Sequence, residues 1–91
     1  MKKMKNIYWD IVKNVADERA IDEYKAIKIW PEIVGKKTSK VTSPIKIING
    51  KMIVKVKNSV WRNELVMLKE EILKKYENKL ENRIVKDIKF M

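Results

Sequence analysis

Between Glu32 and Glu64 the chain contains no acidic residue but eight basic ones, Lys36, Lys37, Lys40, Lys46, Lys51, Lys55, Lys57 and Arg62. Cationic side chains at that density have one obvious chemistry, the neutralisation of a polyanion, whether the phosphates of a nucleic acid or an acidic protein surface. Plain solvation is the competing outcome, since lysines on strand faces also discourage edge pairing. The charge is local. Residues 1–35 hold seven basic and six acidic side chains and residues 64–91 hold the same numbers, so the middle segment supplies all but two units of the formal net charge of +10.

Other chemistries are poorly supplied. The chain has no cysteine and no histidine, which removes thiol nucleophiles, thiolate and imidazole metal ligands, and the usual general base near neutral pH. The carboxylate clusters Asp17, Glu18, Asp22, Glu23 and Glu70, Glu71 have the spacing of solvated helix faces, and nothing in it forces two of them into one buried site. Gly35-Lys36-Lys37-Thr38 has the look of the end of a phosphate-binding loop but lacks the upstream glycine and follows a helical pattern, so it reads as a helix end. Its Lys36, Lys37, Lys40 and hydroxyls can still grip a backbone phosphate. No enzymatic activity, metal, cofactor or small-molecule substrate is expected.

The elements that must hold these charges follow from periodicity. Met4, Ile7, Tyr8, Ile11, Val12 and Val15 recur at helical spacing, with Trp9 beside the stripe as an exposed anchor or wide-stripe packing. A second helix is predicted from Ala20 to about Val34 through Ile21, Tyr24, Ile27 and Trp30, with Pro31 kinking it or opening a final turn and Gly35 as a left-handed cap. Pro44–Ile48 and Lys51–Lys57 then alternate as strands about Asn49-Gly50, whose two residues suit the positive φ angles of a type I′ turn. Met52, Val54 and Val56 face one way, and Ile53, Lys55 and Lys57 the other. Ser59 is the expected N-cap of a long helix over about 60–77 carrying Trp61, Leu65, Leu68, Ile72 and Tyr76, widened by Val66, Leu73 and Leu80. A last strand is predicted in Ile84–Met91, with Ile84, Ile88 and Phe90 inward and Val85, Asp87, Lys89 and Met91 outward. Trp30 and Trp61 are assigned to the core.

The order α-α-β-β-α-β gives an α+β two-layer sandwich, a three-stranded sheet with its helices on one face. Ninety-one residues suffice for a single domain, 1–91, with the helix over 1–18 a candidate for a peripheral position. No run of 18 apolar residues exists and Met1–Lys5 is not followed by an unbroken apolar stretch, so a cytoplasmic protein without a membrane contact is expected.

Trp30-Pro31-Glu32-Ile33-Val34-Gly35, Ser43-Pro44, Asn49 to Val56, Ser59-Val60-Trp61-Arg62-Asn63-Glu64-Leu65 and Val85 to Phe90 together resemble the DciA family of bacterial replicative helicase operators. The resemblance implies a KH-like domain that binds single- or double-stranded DNA, associates with the DnaB-type replicative helicase and assists its loading during DNA replication. The alternatives left by the residues themselves are a KH-like RNA-binding or ribosome-associated protein and a protein-binding adaptor without nucleic-acid contact. The nucleic-acid-binding candidates are Lys36, Lys37, Lys40, Lys55, Lys57 and Arg62, and the protein-binding candidates are Trp9, Tyr8 and Val12. Gly35 and Gly50 are the only glycines, so the Gly-x-x-Gly clamp of nucleic-acid-binding KH domains is absent and any grip on DNA must differ from it.

Overall fold

The computed structural model describes residues 17–91; the predicted first helix, with Tyr8, Trp9 and Val12, lies outside the described residues. The elements in chain order are α1 (Asp17–Lys28), α2 (Trp30–Val34), α3 (Lys36–Ser39), β1 (Thr42–Ile48), β2 (Lys51–Val56), α4 (Ser59–Met67), α5 (Lys69–Lys79) and β3 (Asp87–Phe90). The expected α+β class and, from the second predicted helix onward, the expected element order are present, with each of the two long helical stretches divided. The second helix breaks at Ile29 (φ −88°, ψ 3°), which caps α2. Pro31 then falls in the first turn of α2, where an N–H has no intrahelical acceptor and its absence costs nothing.

Gly35 differs from the left-handed cap expected of it. At φ 88° and ψ 161° it occupies a region open essentially to glycine alone. Its N–H donates to Pro31 O at 2.9 Å, and its own carbonyl accepts the Ser39 N–H at 3.0 Å, so one residue closes α2 and opens α3. Lys36 to Ser39, just beyond that helix end, form one helical turn of their own.

The β1–β2 hairpin turns at Asn49 (φ 49°) and Gly50 (φ 83°), both positive as a type I′ turn requires. β1 pairs antiparallel with β2, and β2, the central strand, pairs parallel with β3. A bulge interrupts β1: Pro44 opposes Val54 and Lys46 opposes Ile53, leaving Ile45 unpaired. The extra residue changes the parity of the strand. Thr42 and Ile47 are both buried although five residues apart, and Ser43, Lys46 and Ile48 are exposed. On β2, Met52, Val54 and Val56 are buried while Lys51 and Lys55 are exposed. On β3, Ile88 and Phe90 are buried and Lys89 is exposed. Val85, predicted outward, is also buried, because it precedes the strand and does not share its alternation.

Trp30, Met52, Val54, Leu65, Tyr76 and Ile88 are the largest fully buried side chains. Trp30 and Tyr76 stack with ring centroids 6.4 Å apart and an interplanar angle of 24°. The Tyr76 hydroxyl donates to Ala26 O at 2.8 Å, joining α5 to α1. The expected long helix divides at Leu68, whose N–H is shared between Glu64 O at 3.2 Å and Leu65 O at 3.0 Å. Leu68 and Val66 are consequently exposed, where an unbroken stripe would have turned Leu68 inward. Trp61 is half-buried against the core, short of the full burial expected of it. Tyr24, expected on the inner stripe of α1, is 61% exposed, with Lys28 Nζ 5.5 Å from its ring centre. The cap of α4 is Asn58, not Ser59: its Oδ1 accepts the Trp61 N–H at 3.0 Å.

Candidate nucleic-acid interface

The basic residues between Glu32 and Glu64 are placed by four elements, α3, β1, β2 and α4. α3 carries Lys36 and Lys37, with Lys40 as its C-cap, all three exposed. The turn is tied down from inside: the buried Trp30 indole Nε1–H donates to Thr42 Oγ1 at 2.8 Å, and that hydroxyl donates to Thr38 O, also at 2.8 Å. A tryptophan of α2, a threonine of β1 and a carbonyl of α3 thus form one chain of bonds beneath the lysines. The Lys57 N–H donates to Val41 O at 2.9 Å, drawing the exit of β2 against the segment that follows Lys40.

These constraints bring Lys40, Lys55 and Lys57 to one groove of about 420 Å³, completed by Val41, Thr42, Ser43 and Val56. The lining contains no carboxylate. Ser43, opposite Lys55 in the hairpin, adds an exposed hydroxyl that was not among the sequence candidates. The hairpin register, counted outward along both strands from Asn49-Gly50, is disturbed by the bulge at Ile45, so simple counting from the turn misplaces Ser43. Lys36 and Lys37 adjoin the groove through α3 but do not line it. Arg62 is half-buried in α4 and is not brought into the groove. A second hollow of about 300 Å³, lined by Arg19, Asp22, Asn82, Arg83, Ile84 and Lys86, includes a carboxylate and is electrostatically mixed.

Ammonium groups on a partly apolar, carboxylate-free groove can hold a polyanion by charge and counterion release, without the directional fork that arginine would add. Nothing in the arrangement supplies an acid–base pair. Among the described residues no group of three or more Asp or Glu side chains is placed to hold a metal ion, and no helix is long and apolar enough to cross a membrane.

A search of curated proteins gives no match. The family model described as Dna[CI] antecedent, DciA, matches residues 9–90, which takes in every element of the described fold and the whole basic groove. The chain therefore belongs to the DciA family, whose role is tied to the DnaB-type replicative helicase.

Proposed function

We propose that this protein is a cytoplasmic DNA-binding accessory of the replicative helicase that assists helicase loading, a KH-like fold gripping DNA through lysines and not through a glycine clamp. The observation that carries the DNA reading is the carboxylate-free groove where Lys40, Lys55 and Lys57 converge. Lys36 and Lys37 extend its positive field on α3, and Arg62 adds charge from α4 outside the groove lining. The contacts are to phosphates, so binding is expected to be nearly indifferent to base sequence. The helicase contact is assigned to the N-terminal apolar side chains Tyr8, Trp9 and Val12, because aromatic anchors dominate protein interfaces while contributing no charge.

Titration of labelled single- and double-stranded DNA at several salt concentrations tests the first half. About three to five phosphate contacts give a log–log salt slope of about −2 to −4, and joint replacement of Lys40, Lys55 and Lys57 by glutamate lowers affinity by about tenfold or more. Absence of binding at low salt refutes it, and equal or tighter binding to RNA of the same length turns the reading toward the KH-like RNA-binding alternative. Trp9→Ala is expected to weaken capture by purified helicase in the presence of nuclease while leaving the DNA titration unchanged; loss of both activities in a folded variant refutes two separate surfaces.

A further inference from the structure

All the helices of the described fold that pack on the sheet share one of its faces, and no described element covers the other. Its centre is Ile53, half-buried, with Lys46 of β1 and Lys89 of β3 as its two cross-strand partners. Lys51 and Lys55 lie two positions before and after it on β2 and, by the period of a strand, project on the same side. All four lysines are exposed. From strand spacings, this ring measures roughly 10 Å across the sheet and roughly 13 Å along β2.

Apolar side chains fill the gaps. Ile48 is 48% exposed, and Met91, 50% exposed, continues the β3 edge: its N–H donates to Val54 O and its O accepts the Val56 N–H, both at 2.8 Å. The only carboxylate in the three strands is Asp87, and it is already engaged. It accepts the Ile88 N–H at 2.8 Å and Lys69 Nζ at 3.2 Å, and these bonds, with the charges of Lys69 and of Lys51 opposite it, hold it below the usual carboxylate range. The face therefore presents four ammonium groups around an aliphatic centre against a single carboxylate, Asp87, which stands opposite Lys51 and is shared with Lys69. Lys55 belongs both to this ring and to the groove, so the two surfaces are continuous.

We propose that the open sheet face carries single-stranded nucleic acid onward from the groove, with Lys46, Lys51, Lys55 and Lys89 on phosphates and Ile48, Ile53 and Met91 against the bases. The proposal rests on the DNA reading of the groove. A single strand is the polyanion that offers charge and apolar base surface at once. A duplex keeps its bases stacked inside, and would press the aliphatic centre against phosphates and their water. Because the face has no aromatic ring, each base gains less than on a stacking platform, and the interaction is dominated by charge and tolerant of sequence.

The test uses the full chain and fluorescence anisotropy with labelled oligothymidylate and a duplex of equal length, across a salt series. The face variant is Lys46→Glu with Lys89→Glu, the groove variant is Lys40→Glu with Lys57→Glu, and a glutamine version of the face variant guards against misfolding, with circular dichroism as the folding check. The face variant is expected to lower oligothymidylate affinity about tenfold or more and to reduce the salt slope by about 1.4, with duplex affinity changed no more than about threefold. Ile53→Ser is expected to weaken single-strand binding severalfold at an unchanged slope, since it removes base contact and no charge.

If the folded face variants bind oligothymidylate like the wild type while the groove variant does not, the inference fails and the DNA reading of the groove stands. If the groove variant also binds like the wild type, the groove assignment is what fails. Equal losses on single strand and duplex overturn the single-strand assignment, and intact DNA binding with lost capture of purified helicase reassigns the face to a protein.

Discussion

Thr42→Val removes one hydroxyl from beneath α3 and leaves the shape of the side chain nearly unchanged. Thr42 is 8% exposed and Trp30 1% exposed, so no water replaces the lost acceptor of the indole Nε1–H. An orphaned buried donor costs about 1–3 kcal/mol. The Thr38 carbonyl fares better, because it still accepts the Val41 N–H at 3.1 Å. That second lost bond adds only about 0.5–1 kcal/mol, and the extra buried methyl returns about 0.8 kcal/mol. The net loss is about 2 kcal/mol, read as a fall in Tm of about 8–16 °C for a domain of this size. The mechanism is distinguished from general damage by a double-mutant cycle with Trp30→Phe in urea unfolding. Phenylalanine has no N–H to orphan, so Thr42→Val in that background is expected to be nearly neutral, the lost Thr38 bond and the buried methyl offsetting one another, which gives a coupling of about 2 kcal/mol. Equal costs of Thr42→Val in both backgrounds, within about 0.3 kcal/mol, refute the reasoning.

Tyr76→Phe is expected to cost about 1–2 kcal/mol in urea unfolding at neutral pH, from the lost bond to Ala26 O. Burial pushes the Tyr76 phenol above its ordinary value of 10.0, so its contribution is complete below about pH 10 and is lost as pH rises beyond it; the wild type should therefore lose stability faster than the variant above pH 10, and parallel curves count against the assignment. Gly35→Ala is expected to cost about 1–3 kcal/mol by thermal unfolding, although a Cβ there meets nothing within 4 Å, because the backbone at φ 88° and ψ 161° is the obstacle.

The sequence announces the hairpin plainly because two independent rules agree: Asn49-Gly50 suits positive φ, and Lys51 to Val56 alternates on the correct side of it. The apolar stripe through Leu65, Ile72 and Tyr76 is legible for the same reason. The break at Ile29 is marked by Pro31, which opens a short final helix as one of its two expected roles, whereas the break at Leu68 carries no such mark. Around Leu68 there is neither glycine nor proline, and the break is a shared hydrogen bond that periodicity does not register. The buried bond between Trp30 and Thr42 joins residues twelve apart on a helix and a strand, and neither side chain announces its partner. The groove divides similarly. Its charge is visible as the acid-free segment, but the meeting of Lys40 with Lys55 and Lys57 depends on Lys57 bonding to Val41, a long-range backbone contact. The neighbourhood of Ile53 requires knowing that β3 lies beside β2, and sequence order alone does not specify that pairing.

The parallel pairing of β2 with β3 also sets the order in which the fold can assemble. The hairpin closes through a two-residue turn and is a microsecond event, whereas β3 reaches β2 only after the chain has passed through α4 and α5. Until it docks, Met52 and Val54 lack Ile88 and Phe90 beside them, and one edge of β2 has no backbone partner. During synthesis the ribosome delivers β3 after every other described element. The interval before its arrival is the one in which an apolar half-sheet is exposed to aggregation and to chaperones. Substitutions at Ile88 or Phe90 should therefore reduce the yield of folded protein in the cell more than their equilibrium cost alone accounts for.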